Sequence, residues 1–204
     1  MIYFDNNATT KIAPEVFEAM KPFLTEFYGN PSSAYALGRE TKKAIENSRE
    51  SVADLIGARN SDEIIFTSGG TESDNWAIRG TLEANPSKKH IVTTRVEHEA
   101  VRRLCEKLET ENYEVSWLDV SEEGFLDLDQ LKNVLRKDTA IVSIMSANNE
   151  TGILFPIEEI ANIVKEHSGA AFHVDGVNAV GKIASGAVVL SADNHGVEIT
   201  QHKL

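Results

Sequence analysis

The stretch "TAIVSIMSANNETGILFPIEEIANIVKEHSGAAFHVD", residues 139–175, is predicted to form a strand, a loop, a helix and a second strand. Its two ends, 139–147 and 170–175, are short apolar runs typical of buried strands. Between them, Pro156 suits the first turn of a helix that continues through "IEEIANIVKEH". A strand, a helix and a strand in this order predict a βαβ unit with parallel strands.

The alternation of strands and helices begins earlier in the chain, at about residue 60. Three further apolar runs predict strands, each followed by a helical pattern, at 63–68, 90–96 and 113–120. Together with the two strands of the first stretch, they predict an α/β domain with about five strands in a largely parallel, buried sheet.

The residues on either side of this domain have other patterns. Before it, the sequence predicts a helix that starts at Pro14 and bends at Pro22, and a long amphipathic helix over 34–57. After it, no clear helix is predicted. We therefore divide the chain into an N-terminal segment with a helical arm, an α/β domain and a divergent tail, at residues 1–57, 58–183 and 184–204.

The composition limits the partners and the compartment. The chain of 204 residues has 32 acidic and 20 basic residues, a net charge of −12, which argues against nucleic acid and anionic membranes as partners. No apolar run approaches the roughly 20 residues of a membrane span, and no secretory leader is recognised. We predict a cytoplasmic protein. A single cysteine, Cys105, predicts neither disulfides nor a cysteine-based metal site.

Polar clusters follow four of the predicted strands. They are "SGGTES", "EHEA", "NNETG" and the single residue Asp175. Because ligands of open α/β sheets bind outside the carboxyl ends of the strands, the four clusters predict one shared site.

The first cluster allows two interpretations. Gly69 and Gly70 permit close backbone approach, so that the N–H groups of the following helix and the Thr71 hydroxyl could hold a phosphate. Alternatively, Thr71 or Ser73 simply caps the helix. The cluster is neither a Walker loop nor the dinucleotide-binding fingerprint, which argues against ATP and NAD.

The other three clusters are equally open to two interpretations. Asp175 could keep a pyridinium nitrogen protonated, as pyridoxal chemistry requires, or it could cap a helix. His98 could stack on a flat ring or lie near a helix start. Asn148 and Asn149 could donate to a phenolic oxygen or form a turn.

Six segments in order and at matching spacings, "YFDNNATT", "YGNPSS", "IIFTSGGTESDN", "VEHEAV", "SANNETG" and "HVDGVNAVGK", resemble the pyridoxal-phosphate-dependent cysteine desulfurases of the nitrogen-fixation and iron–sulfur-cluster type. The similarity covers residues 1–183. It implies a partial large domain of a fold-type I pyridoxal-phosphate-dependent transferase, without its last strands and small C-terminal domain.

The resemblance assigns roles to individual residues. It implies phosphate contacts for Gly70 and Thr71, ring stacking for His98, a contact to the phenolic oxygen for Asn149, and a contact to the pyridine nitrogen for Asp175. A further cofactor contact is implied for Asn178, where the family usually carries glutamine. The loop from Asp5 to Thr10 resembles the family's substrate-side segment.

The lysine that forms the family's Schiff base with the cofactor has one candidate in the tail. In "TQHK", Thr200, His202 and Lys203 are similar to the family's Ser-x-His-Lys motif. Residues 184–196 do not resemble the family, so a chance match stays open. Lys182 matches a family lysine that does not bond the cofactor.

The implied activity is removal of sulfur from L-cysteine, which leaves L-alanine and a persulfide for iron–sulfur cluster assembly. The implied partners are a second copy of the chain and an iron–sulfur scaffold protein. The family's mobile cysteine has no counterpart, because Cys105 has helical spacing with Val101 and Leu108 and is predicted to be a core residue. Three alternatives stay open: a catalytically inactive fragment that binds the cofactor or a partner, a selenocysteine lyase, and a nucleotide-binding domain.

Overall fold

The computed structural model describes residues 2–183, which divide into two compact units, one up to Ile65 and one from Phe66 onward. The predictions for residues 184–204, including those for Thr200, His202 and Lys203, lie outside the described residues. No helix within 2–183 is long and apolar enough to cross a membrane.

The first unit is helical. It contains helix α1, helix α2 and a short 3₁₀ helix, at Pro14–Thr25, Ala36–Ile56 and Ser61–Glu63. Helix α1 starts at Pro14, as predicted, and continues through Pro22. Gly57 ends α2 in the left-handed region, at φ 72°, where glycine has no Cβ to clash with the backbone. The predicted long helix and its end are therefore confirmed.

The second unit is an α/β layer structure. Its helices and strands in chain order are α3 Gly70–Ala84, β1 His90–Thr94, α4 Glu99–Thr110, β2 Glu114–Leu118, α5 Leu128–Val134, β3 Thr139–Ser143, α6 Ile157–His167 and β4 Ala171–His173. The strands form one parallel sheet in the order β2-β1-β3-β4. The predicted parallel α/β architecture is confirmed.

One predicted strand is absent. Residues 63–68 pair with no other strand in the described part of the chain, so the sheet there has four strands rather than five. Ile65 and Phe66 are more than half exposed, at 59% and 51%. An apolar run becomes a strand only where a neighbouring backbone accepts and donates its hydrogen bonds, and the local pattern does not contain that information.

Two apolar clusters cover the faces of the sheet. On one face, α3 and α4 bury Ile78 and Val101 against β1 and β3. On the other face, α5 and α6 bury Leu131 and Ile160 against the same strands. The chain therefore leaves β1 toward one face and leaves the adjacent strand β3 toward the other. Such a switch point opens a crevice at the carboxyl ends of the two strands.

Candidate functional site

The first turn of α3 offers free backbone donors. Gly69 precedes the helix and no side chain caps it, so the interpretation of Thr71 or Ser73 as the cap is wrong. No acceptor within residues 2–183 is found for the N–H groups of Gly70, Thr71 and Glu72. The Glu72 carboxylate instead accepts two hydrogen bonds from Ser68, each of 2.6 Å. These bonds lower the pKa of Glu72.

This turn lies beside the loop that follows β4. A Cβ atom built on Gly70 would lie 3.2 Å from Cγ2 of Val177, which is two residues beyond Asp175. A residue larger than glycine at position 70 would therefore require the Val177 side chain to move by a few tenths of an ångström. The structure thus brings the first and the last of the four polar clusters together.

Asp175 is a buried carboxylate at the end of β4. Its Oδ1 atom accepts a hydrogen bond of 3.0 Å from the Val177 N–H, so it closes a local turn and caps no helix. No hydrogen bond to Oδ2 is found within the described residues. Burial raises the pKa of Asp175, and the nearby Asp74 carboxylate raises it further. The nearby rings of His173 and His98 lower the pKa of Asp175. Oδ2 is the oxygen that could face a cationic group of a ligand.

His98 lies at the start of α4, as one of its two interpretations predicted. Its exposed ring accepts a hydrogen bond from the Ala100 N–H at Nδ1, over 3.2 Å, which places the proton of the neutral ring on Nε2. The Asn75 amide donates to the carbonyls of Thr71 and Ala100, at 2.8 and 3.4 Å. Asn75 therefore ties the first turn of α3 to the segment that holds His98.

The two asparagines after β3 have different surroundings. Asn148 is a turn residue: its Oδ1 accepts from the Glu150 N–H, the Thr151 N–H and the Thr151 hydroxyl. Its amide donates to the Val96 carbonyl over 3.1 Å. Asn149 is half-buried beside it. Asn148 is therefore engaged within the loop after β3, as its interpretation as a turn residue predicted.

The residues after Asp175 form turns. Asn178 is half-buried, and its Oδ1 accepts from Lys182 Nζ over 3.2 Å. Asn178 therefore lies near the site with one of its polar atoms already engaged. The loop from Asp5 to Thr10 belongs to the first unit.

A buried polar row beneath the site was not predicted. Ser143 Oγ lies 2.8 Å from His173 Nδ1, and His173 Nε2 lies 3.4 Å from Asp74 Oδ1. The row links β3, β4 and α3 directly below the first turn of α3. Two spacings in the sequence could have indicated this row. His173 precedes Asp175 by two residues, and Asp74 follows Gly70 by about one helical turn.

Glu97 is a second buried group that the sequence interpretation missed. Its Oε1 accepts from the Thr94 hydroxyl over 2.7 Å, and its two oxygens lie 3.1 and 3.0 Å from the Met145 N–H. Burial raises the pKa of Glu97 to about 8, against the effect of these hydrogen bonds. The position of Glu97 directly before His98 is the feature of the sequence that could have indicated it.

Cys105 lies in the core, as predicted. It is fully buried in the cluster of α3 and α4, and burial raises the pKa of its thiol to about 12. Cys105 is therefore not a nucleophile at neutral pH.

Known proteins resemble this chain in sequence and in fold. The sequence matches the family described as "Aminotransferase class-V" over residues 2–194. The match extends beyond residue 183, so the expectation that residues 184–196 lack family resemblance is wrong as far as residue 194. A solved structure described as "NIFS-LIKE PROTEIN" superposes with a TM-score of 0.85 at 39% identity, over 93% of this chain and 51% of that one.

Two curated relatives have the same description. "Cysteine desulfurase" of Trichormus azollae is 58% identical over 183 residues, which are 90% of this chain and 45% of the relative. "Cysteine desulfurase 2" of Trichormus variabilis is 50% identical over 204 residues, all of this chain and 50% of the relative. The chain spans about half the length of the curated relatives it matches.

Proposed function

Because this chain belongs to the class-V aminotransferase family, we propose that it forms the pyridoxal 5′-phosphate-binding part of a cysteine desulfurase. Such an enzyme removes sulfur from L-cysteine and leaves L-alanine. One observation carries the proposal: the free first turn of α3 lies beside the loop that contains the buried Asp175, since a Cβ atom built on Gly70 would lie 3.2 Å from Cγ2 of Val177.

The residues present fit this cofactor. Free N–H groups at the start of a helix suit a phosphate, which Gly70 and Thr71 would bind. A buried carboxylate with a raised pKa suits a protonated ring nitrogen, because an adjacent positive charge stabilises the ionised form that burial disfavours. A histidine at the crevice, His98, would stack on the ring.

The remaining contacts belong to the same proposal. Asn149 would donate to the phenolic oxygen, and Asn178 would add a contact beside Asp175. The proposal also includes Lys203 as the residue that bonds the cofactor, with Thr200 and His202 as further cofactor contacts. When bound, the cofactor supplies an electron sink. The protein's part is to hold the ring nitrogen protonated at Asp175 and to orient the ring under His98.

The test is a titration of the chain with pyridoxal 5′-phosphate, monitored by the visible absorbance of the bound cofactor. We expect saturable binding that Asp175→Asn weakens about tenfold or more, because the amide cannot balance the pyridinium charge. Asp54→Asn, which changes an exposed aspartate of α2, is the matched control. Equal affinities of the wild type and Asp175→Asn, or no saturable binding by the wild type, would contradict the proposal.

The role of Lys203 is tested separately. Borohydride treatment of the cofactor-bound chain should add the cofactor's mass to the peptide that contains Lys203, and Lys203→Ala should abolish this addition. Pyridoxine 5′-phosphate, which has no aldehyde, should bind both proteins equally. Labelling of a different lysine would overturn the role of Lys203 and leave the binding site intact.

A second candidate is a chain that binds the cofactor without turning over cysteine. The burial of Cys105 favours it, because sulfur transfer needs a thiolate and this chain has one cysteine. Release of alanine from L-cysteine by the loaded chain supports the desulfurase. Cofactor binding without alanine supports the second candidate.

The wider assignments are parts of the first proposal. A homodimer, a persulfide acceptor of the iron–sulfur scaffold class and a cytoplasmic location follow from the family proposed here. The net charge of −12 is consistent with protein partners rather than nucleic acid. Sedimentation of the cofactor-loaded chain tests the dimer, with a monomer as the contradicting result.

A further inference from the structure

A buried carboxyl group connects the two loops that diverge at the switch point. Glu97 follows β1 and its neighbour Met145 follows β3, and both are almost completely buried. Both Glu97 oxygens face the Met145 N–H, at 3.1 and 3.0 Å. The link therefore joins the loops that follow two adjacent strands, at the edge of the sheet where the candidate site lies.

Each end of this link continues to a residue of the site. On one side, Glu97 is followed directly by His98. On the other side, Met145 is followed by Ser146, whose N–H and hydroxyl donate to the Asp175 carbonyl over 2.9 and 3.2 Å. A path of hydrogen bonds and two peptide units thus joins the segments of His98 and Asp175.

The surroundings of Glu97 are acidic. Asp175 after β4 and Asp74 of α3 both raise its pKa, and the charge of Glu97 in turn raises the pKa of the Cys105 thiol in α4. Among the described residues, no cation acts on it. A neutral carboxyl group is the form that such surroundings favour, and glutamine is its closest substitute in shape and hydrogen-bonding capacity.

We propose that Glu97 is a positioning residue that sets the spacing between His98 and Asp175 across the crevice. This inference rests on the proposed function for the identity of the ligand. The spacing itself is a property of the cofactor-free protein. Glu97 acts by accepting the Met145 N–H, which fixes Ser146 and through it the end of β4.

The experiment compares Glu97→Gln, which keeps an acceptor, with Glu97→Leu, which does not. Glu122→Gln, at an exposed site, is the control. The probes are pyridoxine 5′-phosphate and inorganic phosphate, titrated separately into the full chain and monitored by ¹H–¹⁵N spectra. Amide hydrogen exchange of Met145 and Ser146 is measured without ligand.

We expect Glu97→Leu to weaken binding of pyridoxine 5′-phosphate about tenfold, since a fixed ring site is lost, and to leave binding of inorganic phosphate within about twofold. Glu97→Gln should bind both probes like the wild type. A general loss of folding would instead weaken the binding of both probes. Exchange of the Ser146 amide should accelerate in Glu97→Leu and stay slow in Glu97→Gln.

Three results would overturn the inference. They are an unchanged rate of Ser146 amide exchange in Glu97→Leu, an equal loss of affinity for both probes in Glu97→Leu, and a Glu97→Gln variant that binds as weakly as Glu97→Leu. Failure of the wild type to bind pyridoxine 5′-phosphate is a different outcome. It would overturn the proposed function, and the exchange measurements would still decide whether Glu97 fixes the segment of Asp175.

Discussion

At the scale of single residues, three buried acids surround the crevice: Asp74, Glu97 and Asp175. Removing a carboxylate from water disfavours its charged form, and neighbouring carboxylates add to this effect. Asp74 has the ring of His173 at 3.4 Å. Glu97 is held by neutral donors. Burial raises the pKa of Glu97 and that of Asp175.

Glu97 should make the folded state less stable as pH rises. Its pKa is about 8 in the folded state and about 4.5 when unfolded. Between these values the unfolded chain releases the proton that the folded chain retains, so the free energy of unfolding falls by up to about 1.4 kcal/mol per pH unit. Above pH 8 this contribution becomes constant.

Urea titrations of the wild type and Glu97→Gln between pH 5 and pH 9 measure this contribution. We expect the difference in the free energy of unfolding between the two proteins to change across this range and then level off. Glu122→Gln should run parallel to the wild type. Parallel curves for the wild type and Glu97→Gln would contradict the burial of Glu97 as an acid.

Cys105 should be chemically inert in the folded protein. Its side chain is fully buried and the pKa of its thiol is raised to about 12, so neither access nor thiolate is present at pH 8. We expect iodoacetamide to modify Cys105 only in denaturant, as followed by mass spectrometry. Labelling of the native protein at the rate of the unfolded chain would contradict this placement.

At the scale of elements, the sequence predicted the strands but not their ends. The strand at 139–147 ends at Ser143 in the structure, and the strand at 90–96 ends at Thr94. The apolar residues beyond these ends leave the sheet and are buried in the loops at the switch point. Hydrophobicity predicts burial, whereas hydrogen bonds between strands decide where a strand stops.

The sequence predicted the candidate site only in part. Gly70, His98 and Asp175 follow strands or apolar runs, so the rule for open sheets placed them at one edge. Glu97 and His173 were not predicted, because their partners are distant in sequence, whereas the turn at Asn148 is a local feature and was one of its two interpretations. Met145 is 48 residues from Glu97, and no local pattern contains such a contact.

The loop after β3 should depend on Asn148 for its stability. Replacing Asn148 by alanine removes three accepted hydrogen bonds and the one that its amide donates to the Val96 carbonyl, so we expect a loss of about 1–3 kcal/mol in the free energy of unfolding. Asn133→Ala, at an exposed site of α5, is the control and should change it by less than about 0.5 kcal/mol. Chemical denaturation measures both, and equal effects would contradict the structural role.

At the scale of the whole molecule, the proposed site draws on three segments of the described residues. The chain spans about half the length of its curated relatives. Free helix N–H groups, an exposed histidine and a buried carboxylate come from three segments that are far apart in sequence. The central claim is that these segments bind one molecule together.

The most direct test is a titration of the ¹⁵N-labelled chain with pyridoxine 5′-phosphate, monitored amide by amide. The account predicts that the amides of Thr71, His98 and Val177 shift together and yield one dissociation constant. Shifts confined to one of the three segments, or separate dissociation constants for each, would contradict it.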